Sequence, residues 1–577
     1  MTMSSNTPSP NSPQPTLDRR RFLAYFSAMG LSTTLLPGVL WTQLASAAEG
    51  DVTPDMVAGA ARIAGLDFDE DELEAIADDV NRLSENFKGL RALDIPNGLA
   101  PALQFNPVLP GMTFENEQRP FKVSEALTRG VPADLEDLAF WPVTDLAPLL
   151  RQRKITSTAL TQMYIARLKR YNPVLNCVVT LTEDLALEQA KCADAEITAG
   201  NYRGPLHGIP WGAKDLLAVK GYKTTWGATP YKDQVIDEDA TVVTRLEEAG
   251  AVLVAKLTLG ALAMGDEWYG GRTNCPWNPE RGSSGSSAGP GAATAAGLVG
   301  FSIGSETNGS ITSPARVNGI TGLRPTFGRV SRAGAMALCW SMDKLGPMCR
   351  SVEDCALVLN AIMGPDDKDP TVVDLPFNWD PNRIGAVRAL RVGYVPDAEG
   401  EGRRSARYYK QSLDVIRGLG IELNPIEIPD FPIDPMEFII DVESAAAFDE
   451  LTRSNRDDLL VNQEEWPKMF RQARMVPAVE YLQANRARRS LMEAMDRAIE
   501  NFDVYVVPSG HHLMMGNLTG HPIIALPNGI HNGDRPTSIS FVGHLYGEAK
   551  MMALAKAFQD ATNHHKQYPT AFAEIDA

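Results

Sequence analysis

Between Arg281 and Arg332 the chain reads RGSSGSSAGPGAATAAGLVGFSIGSETNGSITSPARVNGITGLRPTFGRVSR, dense in serine, glycine and alanine with no aromatic before Phe301. A serine hydroxyl is a weak nucleophile at neutral pH and attacks a carbonyl only when a base takes its proton. Glycine permits the turns on which such a serine is presented, and lets backbone N–H groups converge on a developing oxyanion. Two other readings of the stretch fail. It holds neither GxxxxGK[ST] nor GxGxxG, so it is not a nucleotide loop. A flexible Gly/Ser linker would not run on into the apolar AATAAGLVGFSIG, which turns strand-like at its end. Serine chemistry on glycine-built turns is the reading that remains.

Such a site needs a scaffold. From about residue 137 onward, strand-like apolar runs (GAVLVAKLTL, ALRVGYVP, FDVYVVPSG) alternate with helical ones (STALTQMYIARLKRY, EDLALEQAKCADAEITAG, VEDCALVLNAIMG, RRSLMEAMDRAIENF). The alternation predicts an α/β fold with helices packed around a central sheet. No repeat period suggests a solenoid.

Three segments in order resemble the amidase signature family. GSSGSSA followed by GSETNGSITSPARVNGITGLRPTFGRVS is similar to its GGSSGGSA and G-[ST]-D-x-GGSIR-x-PA-x(3)-G-x(2)-G-x-KPT-x-GRVS. GPLHGIPWGAKDLLAVKGYKTTWGA, Gly204 to Ala228, resembles its lysine segment, GIP-x(3)-KD-x(3)-V-x-G-x-TT-x-G; TGHPIIALPNGI, Thr519 to Ile530, resembles its closing strand and loop. The resemblance implies a single large domain with a central mixed β-sheet covered by helices, and a Ser, cis-Ser, Lys triad. The nucleophile falls on Ser310 and the base on Lys214. The bridging serine, which in the family follows a cis peptide bond, is assigned to Ser283, the first of the SS pair, with Ser284 as second choice. SAGPGAATAAG is three residues longer than the family's SAAAVAAG, so Gly289-Pro290-Gly291 reads as an insertion. The backbone N–H groups of Thr307, Asn308, Gly309 and Ser310 are the expected oxyanion hole.

The chemistry accounts for these residue types. Lysine acts as a base only when neutral, which requires a buried site that disfavours the ammonium. A bridging hydroxyl both donates and accepts, so it relays a proton from nucleophile to base and back to the leaving amine. Some positions depart from the pattern: Arg281 and Ser286 stand for glycines, Glu306 for aspartate, Asn308 for glycine and Thr312 for arginine. Asparagine tolerates positive φ, so Asn308 keeps a turn available. Threonine cannot replace an arginine's fork. No departure removes a triad member.

Composition narrows the partners. The 577 residues are 44% hydrophobic and 22% charged, with a formal net charge of -18, which argues against nucleic acid or an anionic membrane surface. A small-molecule amide fits better. Six cysteines without CxxC spacing indicate neither a zinc site nor a disulfide scaffold, and no cofactor or metal is expected. At the N-terminus, Arg19-Arg20-Arg21-Phe22-Leu23 precedes a charge-free run to Ala48 and resembles a twin-arginine export signal, with Ala45-Ser46-Ala47 as a cleavage region. The expected organisation is a signal peptide over 1–48, an acidic helical extension and linker over 49–125, and the amidase-signature domain over 126–577. The mature chain is expected to be soluble, off the membrane, and periplasmic or extracytoplasmic. The extension is a candidate homodimer interface.

Other chemistry-bearing residues have plainer readings. The pairs His511-His512 and His564-His565 lack a carboxylate or cysteine at ligand spacing and read as surface or loop residues. Met514-Met515 and Met551-Met552 read as core or pocket lining. Three functions follow from these observations: an exported serine hydrolase cleaving amides, with esters or carbamates as side substrates; the amidase subunit of a tRNA-dependent amidotransferase, against which the export signal argues; and a non-catalytic amidase-like binding protein.

Overall fold

Thr53 and Pro54 begin the first helix among the described residues, as their types dictate. The Thr53 hydroxyl accepts from the Met56 N–H at 3.3 Å, Pro54 occupies the first turn, and the helix runs Pro54–Ile63. In the acidic run that follows, Asp69 and Glu72 cap one another: Asp69 Oδ1 accepts from the Glu72 N–H at 2.9 Å, and Glu72 Oε2 from the Asp69 N–H at 3.0 Å. They open the helix Glu70–Arg91, whose first turn holds three acids where the helix dipole favours them.

The structure is a computed structural model and describes residues 52–93, 95–125, 130–381, 384–396 and 402–573. The export signal expected at 1–48 lies outside the described residues. The chain divides into two compact units, Met1–Ile95 and Pro96–Ala577. The segment 96–125, expected as a linker, packs within the larger unit. Asn97 Nδ2 donates to the Ala337 and Ala447 carbonyls at 2.9 and 3.2 Å, the Arg119 N–H donates to Asn378 Oδ1 at 2.7 Å, and Phe105 stands edge-on to Phe327 at 5.1 Å. Proline and glycine keep this segment out of regular structure; its backbone and side chains find partners on the larger unit instead.

In that unit the strands run, in chain order, β1 (Val178–Leu181), β2 (Pro210–Lys214), β3 (Val252–Leu257), β4 (Glu267–Trp268), β5 (Gly271–Arg272), β6 (Asn274–Cys275), β7 (Asn278–Gly282), β8 (Phe301–Glu306), β9 (Thr321–Arg324), β10 (Lys344–Cys349), β11 (Val392–Tyr394), β12 (Leu423–Pro425), β13 (Val504–Pro508), β14 (Ile523–His531) and β15 (Arg535–Gly543). Eleven form one sheet in the order β1-β3-β2-β8-β10-β9-β14-β15-β13-β11-β12. The sheet is mixed: β2 is parallel to β3 and β8, β11 to β12 and β13, and the remaining pairs are antiparallel. Every residue of β2, β3, β10 and β13 is buried, because helices cover both faces. Helices fall where the sequence places them, among them Ser157–Leu175, Glu183–Thr198, Val352–Ile362 and Ala478–Ile499. Trp211 stacks on Phe301 in this core, and Met551 and Met552 are fully buried in it.

Candidate active site

Lys214 is the last residue of β2, the third strand of the sheet, and its side chain is fully buried. Its Nζ lies 2.8 Å from Ser286 Oγ, 3.0 Å from Ser287 Oγ and 2.9 Å from Ser305 Oγ. Ser305 is on β8, which runs beside β2; Ser286 and Ser287 lie on the loop between β7 and the helix Ala288–Ala295. Burial pushes the Lys214 ammonium well below its usual 10.5, against the opposing pull of the Asp343 and Glu306 charges. Neither carboxylate hydrogen-bonds the amine. A neutral amine donates two hydrogen bonds and accepts one, which suits three hydroxyl neighbours.

The carboxylate next to Lys214 in sequence serves a different cation. Asp215 pairs with the buried Lys256 at 2.8 Å and accepts from the Thr225 N–H at 2.9 Å. The Asp215 N–H donates to the Leu257 carbonyl at 2.9 Å. Together these contacts fix the chain immediately after Lys214 while leaving its amine without a counter-ion.

Ser283 is not brought to Lys214. Its hydroxyl donates to the Ala288 carbonyl at 2.9 Å and exchanges hydrogen bonds with the Asn318 amide, Asn318 Nδ2 reaching Ser283 Oγ at 3.0 Å. Ser284, the second choice, has its N–H on Asp266 Oδ2 at 2.9 Å and its hydroxyl 3.0 Å from Ser313 Oγ. The serines of this loop beside the lysine are Ser286 and Ser287, and the cis peptide bond is Gly285-Ser286. The segment holds two successive Gly-Ser-Ser triplets, and Ser283 belongs to the first. Moving the pattern to Ser286-Ser287 shifts it by three residues, which absorbs the three that read as an insertion. Gly289 and Gly291 belong instead to a closely packed helix: a Cβ on Gly289 would lie 2.4 Å from Thr258 N, and one on Gly291 2.7 Å from Asn318 Nδ2.

Ser310 sits on the turn between β8 and the helix Thr312–Asn318. Its carbonyl accepts from the Ser287 N–H at 3.2 Å, which ties the turn to the serine loop. Gly309 takes φ +93, and a Cβ there would come 2.8 Å from Leu513 of the helix Leu513–Thr519. The N–H groups of Thr307, Asn308, Gly309 and Ser310 donate to no carbonyl among the described residues. Ser310 and Asn308 reach solvent while Thr307 and Gly309 are buried, so the turn faces an opening.

A buried polar shell holds this turn. Thr307 Oγ1 donates to Asp343 Oδ1 at 2.6 Å, and Asp343 Oδ2 accepts from the Leu338 and Cys339 N–H groups at 2.8 and 2.9 Å. Glu306 Oε2 accepts from the N–H groups of Ile311 and Thr312, both at 2.9 Å. Burial alone would raise the Glu306 carboxyl; the Arg324 guanidinium and these N–H donors override it and hold it down at about 2. Ser305, Glu306 and Asp343 are sites the sequence reading did not assign. The Ser/Thr position of the family pattern, which falls on Ser305, was a signal for the first; Asp343 carried none.

None of the remaining histidine candidates hydrogen-bonds Lys214 or Ser310 among the described residues. His512 opens the helix Leu513–Thr519 in a left-handed conformation with the His511 ring 6.0 Å away, and His564 and His565 lie in a short 3-10 turn. Among the described residues no cluster of three His, Cys, Asp or Glu side chains forms a metal site.

Known proteins share this fold and these segments. Residues 159–515 match the profile of the family described as Amidase. The chain is 32% identical over 485 residues to a glutamyl-tRNA(Gln) amidotransferase subunit of Methylococcus capsulatus, covering 75% of this chain and 99% of that one. The peptide amidase of Stenotrophomonas maltophilia superposes with a TM-score of 0.67 at 29% identity, covering 74% of this chain and 98% of that one. A bacterial aryl acylamidase of the amidase signature family shares the fold at a TM-score of 0.67 and 20% identity, over 76% of this chain and 99% of that one. The chain belongs to the amidase family and is an amidase-signature enzyme, built on that family's large mixed sheet surrounded by helices.

Proposed function

We propose that this enzyme hydrolyses a carbon–nitrogen amide bond through an acyl-enzyme on Ser310, with Lys214 as base and Ser286 as the proton bridge. The observation that carries the reading is a fully buried lysine amine with three serine hydroxyls within 3.0 Å and no carboxylate bonded to it. Ser286 passes its proton to the Lys214 amine as it takes the proton of Ser310, and Ser310 Oγ bonds the substrate carbonyl carbon. The carbonyl oxygen, now negative, is met by the free N–H groups of the 307–310 turn. One such donor contributes about 3 kcal/mol to the transition state. The C–N bond then breaks, the amine leaves with the proton returned through Ser286, and water releases the acid from Ser310.

Linear amides are the proposed substrates, with esters and carbamates as side substrates, since all reach the same acyl-enzyme. A panel of an aryl anilide, an aliphatic amide, a peptide amide, a carbamate and an ester tests this with the wild type, Ser310→Ala and Lys214→Ala. The reading expects turnover of at least one member by the wild type and its loss in both variants. Turnover that survives Ser310→Ala would place the nucleophile elsewhere. The similarity to glutamyl-tRNA(Gln) amidotransferase subunits favours a second reading, in which the released ammonia passes to another acceptor. Glutamine hydrolysis that the chain alone does not perform, and that begins when the other amidotransferase subunits and charged tRNA are supplied, would select it. We also propose that residues 1–48 direct export, on the strength of Arg19-Arg20 and the charge-free run behind them.

A further inference from the structure

Three positions around the nucleophile turn have exchanged chemistry together. Glu306 stands for the family's aspartate, Thr312 for its arginine, and Arg324, in GLRPT, for the lysine of KPT. In the structure these three residues meet. Glu306 Oε2 accepts from the Thr312 hydroxyl at 3.1 Å as well as from the Ile311 and Thr312 N–H groups, and Glu306 Oε1 accepts from Arg324 Nη1 at 2.9 Å. All three side chains are buried, and the ion pair is fully enclosed.

We propose that Arg324, acting through Glu306, is the positioning residue that holds the Ser310 turn, in a chain that carries Thr312 where the family's pattern has an arginine two residues after the nucleophile. The inference rests on Ser310 being that nucleophile. Glu306 ends β8, and its carboxylate grips the chain again at 311 and 312. One side chain therefore closes the turn 307–310 from both ends, and any shift of that carboxylate moves the four free N–H groups. Its cation comes from far off. Glu306 lies on β8 and Arg324 on β9, with β10 between them, a separation of about 10 Å across the sheet. Two long side chains bridge that gap; glutamate has one methylene more than the aspartate it replaces, and Lys344, the residue paired with Glu306, lies on the strand between them. A threonine at 312 leaves the carboxylate open to this distant guanidinium.

Arg324 is itself held on its far side. Its Nη2 donates to the His521 carbonyl at 2.7 Å and passes over Gly516, where a Cβ would lie 3.0 Å from that nitrogen. Asn517, on the same helix, donates to Glu306 Oε1 at 3.2 Å, reaches Asn308 Oδ1 at 3.4 Å and accepts from Lys344 Nζ at 2.7 Å. Lys344, buried beside it, is thus occupied by an amide and leaves the carboxylate to Arg324 and Asn517. A bidentate guanidinium bridging a carboxylate and a carbonyl is not replaced by an ammonium, which is a point charge.

The test compares Arg324→Lys with the triple variant Glu306→Asp, Thr312→Arg, Arg324→Lys, which restores the family's trio. It reads the rate of covalent labelling of Ser310 by a fluorophosphonate, kcat and KM on whichever panel member is turned over, and the melting temperature. Arg324→Lys is expected to slow labelling and lower kcat at least tenfold with KM changed less than threefold, and the triple variant to recover to within threefold of wild type. Gly516→Ala, which crowds Arg324 without altering any charge, is expected to lower the labelling rate by severalfold and serves if Arg324→Lys does not fold. Labelling by Arg324→Lys, or by Gly516→Ala in its stead, within twofold of wild type would overturn the proposal. So would a triple variant no faster than Arg324→Lys. A wild type unlabelled at Ser310 would instead overturn the nucleophile assignment.

Discussion

Lys214 is surrounded by hydroxyls, and the nearest sequence carboxylate, Asp215, is spent on Lys256. That division of labour leaves the Lys214 amine with no carboxylate bonded to it, so burial pushes its titration down in a protein that carries 72 acidic residues. In the proposed mechanism the active form has the amine deprotonated, and burial shifts its titration downward, so activity should be present at high pH and be lost as pH falls through the lowered value. We expect kcat/KM to rise with pH and reach its plateau well below the usual lysine value of 10.5. A midpoint at or above that usual value in the pH–rate profile would mean that the base is not this lysine. Ser283 shows the limit of residue-level reading. It has the right type, but its hydroxyl is used to pin the loop to Asn318, which is a packing fact that no local pattern reveals.

At the level of elements, the strand and helix alternation was legible because buried strands and amphipathic helices differ in period and length. GAVLVAKLTL became β3 and FDVYVVPSG became β13. The serine loop was harder, because two Gly-Ser-Ser triplets in tandem give two registers, and the contact to β2 selects the second. The surplus of three residues was itself the clue, since it equals the distance from Ser283 to Ser286. Gly289 belongs to a helix pressed onto β3 and is not part of an insertion. Gly289→Ala should therefore destabilise the fold by about 1 to 3 kcal/mol, the cost of overpacking against a backbone that cannot retreat. The check is thermal unfolding; an unchanged melting temperature would show that this helix end is loosely packed.

For the whole molecule, the sequence reads as a signal over 1–48, an extension and linker over 49–125 and a domain over 126–577, and the structure divides the chain into two units at Ile95 and Pro96. The proline-rich stretch 96–125 looked like a connection because it lacks periodicity; its partners, such as Ala337, Ala447 and Asn378, lie hundreds of residues away and leave no trace in local sequence. The family relationship was legible because three separated motifs occur in order. Substrate shape was not, since loops set it. The export proposal is tested on residues 1–48: fused to a folded reporter they should carry it out of the cytoplasm, and changing Arg19 and Arg20 to lysine should abolish this. A reporter retained inside with both arginines intact would sink the export proposal.

The most direct test of the site is to compare Ser286→Ala with Ser283→Ala on one turned-over amide, following acyl-enzyme formation. With the proton bridge removed, Ser286→Ala should lose about 10² to 10⁴ in rate, the range of general acid–base catalysis. Ser283→Ala loses only a loop contact and should stay within about tenfold of wild type, which corresponds to roughly 1.4 kcal/mol of positioning. A Ser286→Ala enzyme as fast as wild type, or a larger loss in Ser283→Ala, would contradict the Lys214–Ser286–Ser310 arrangement.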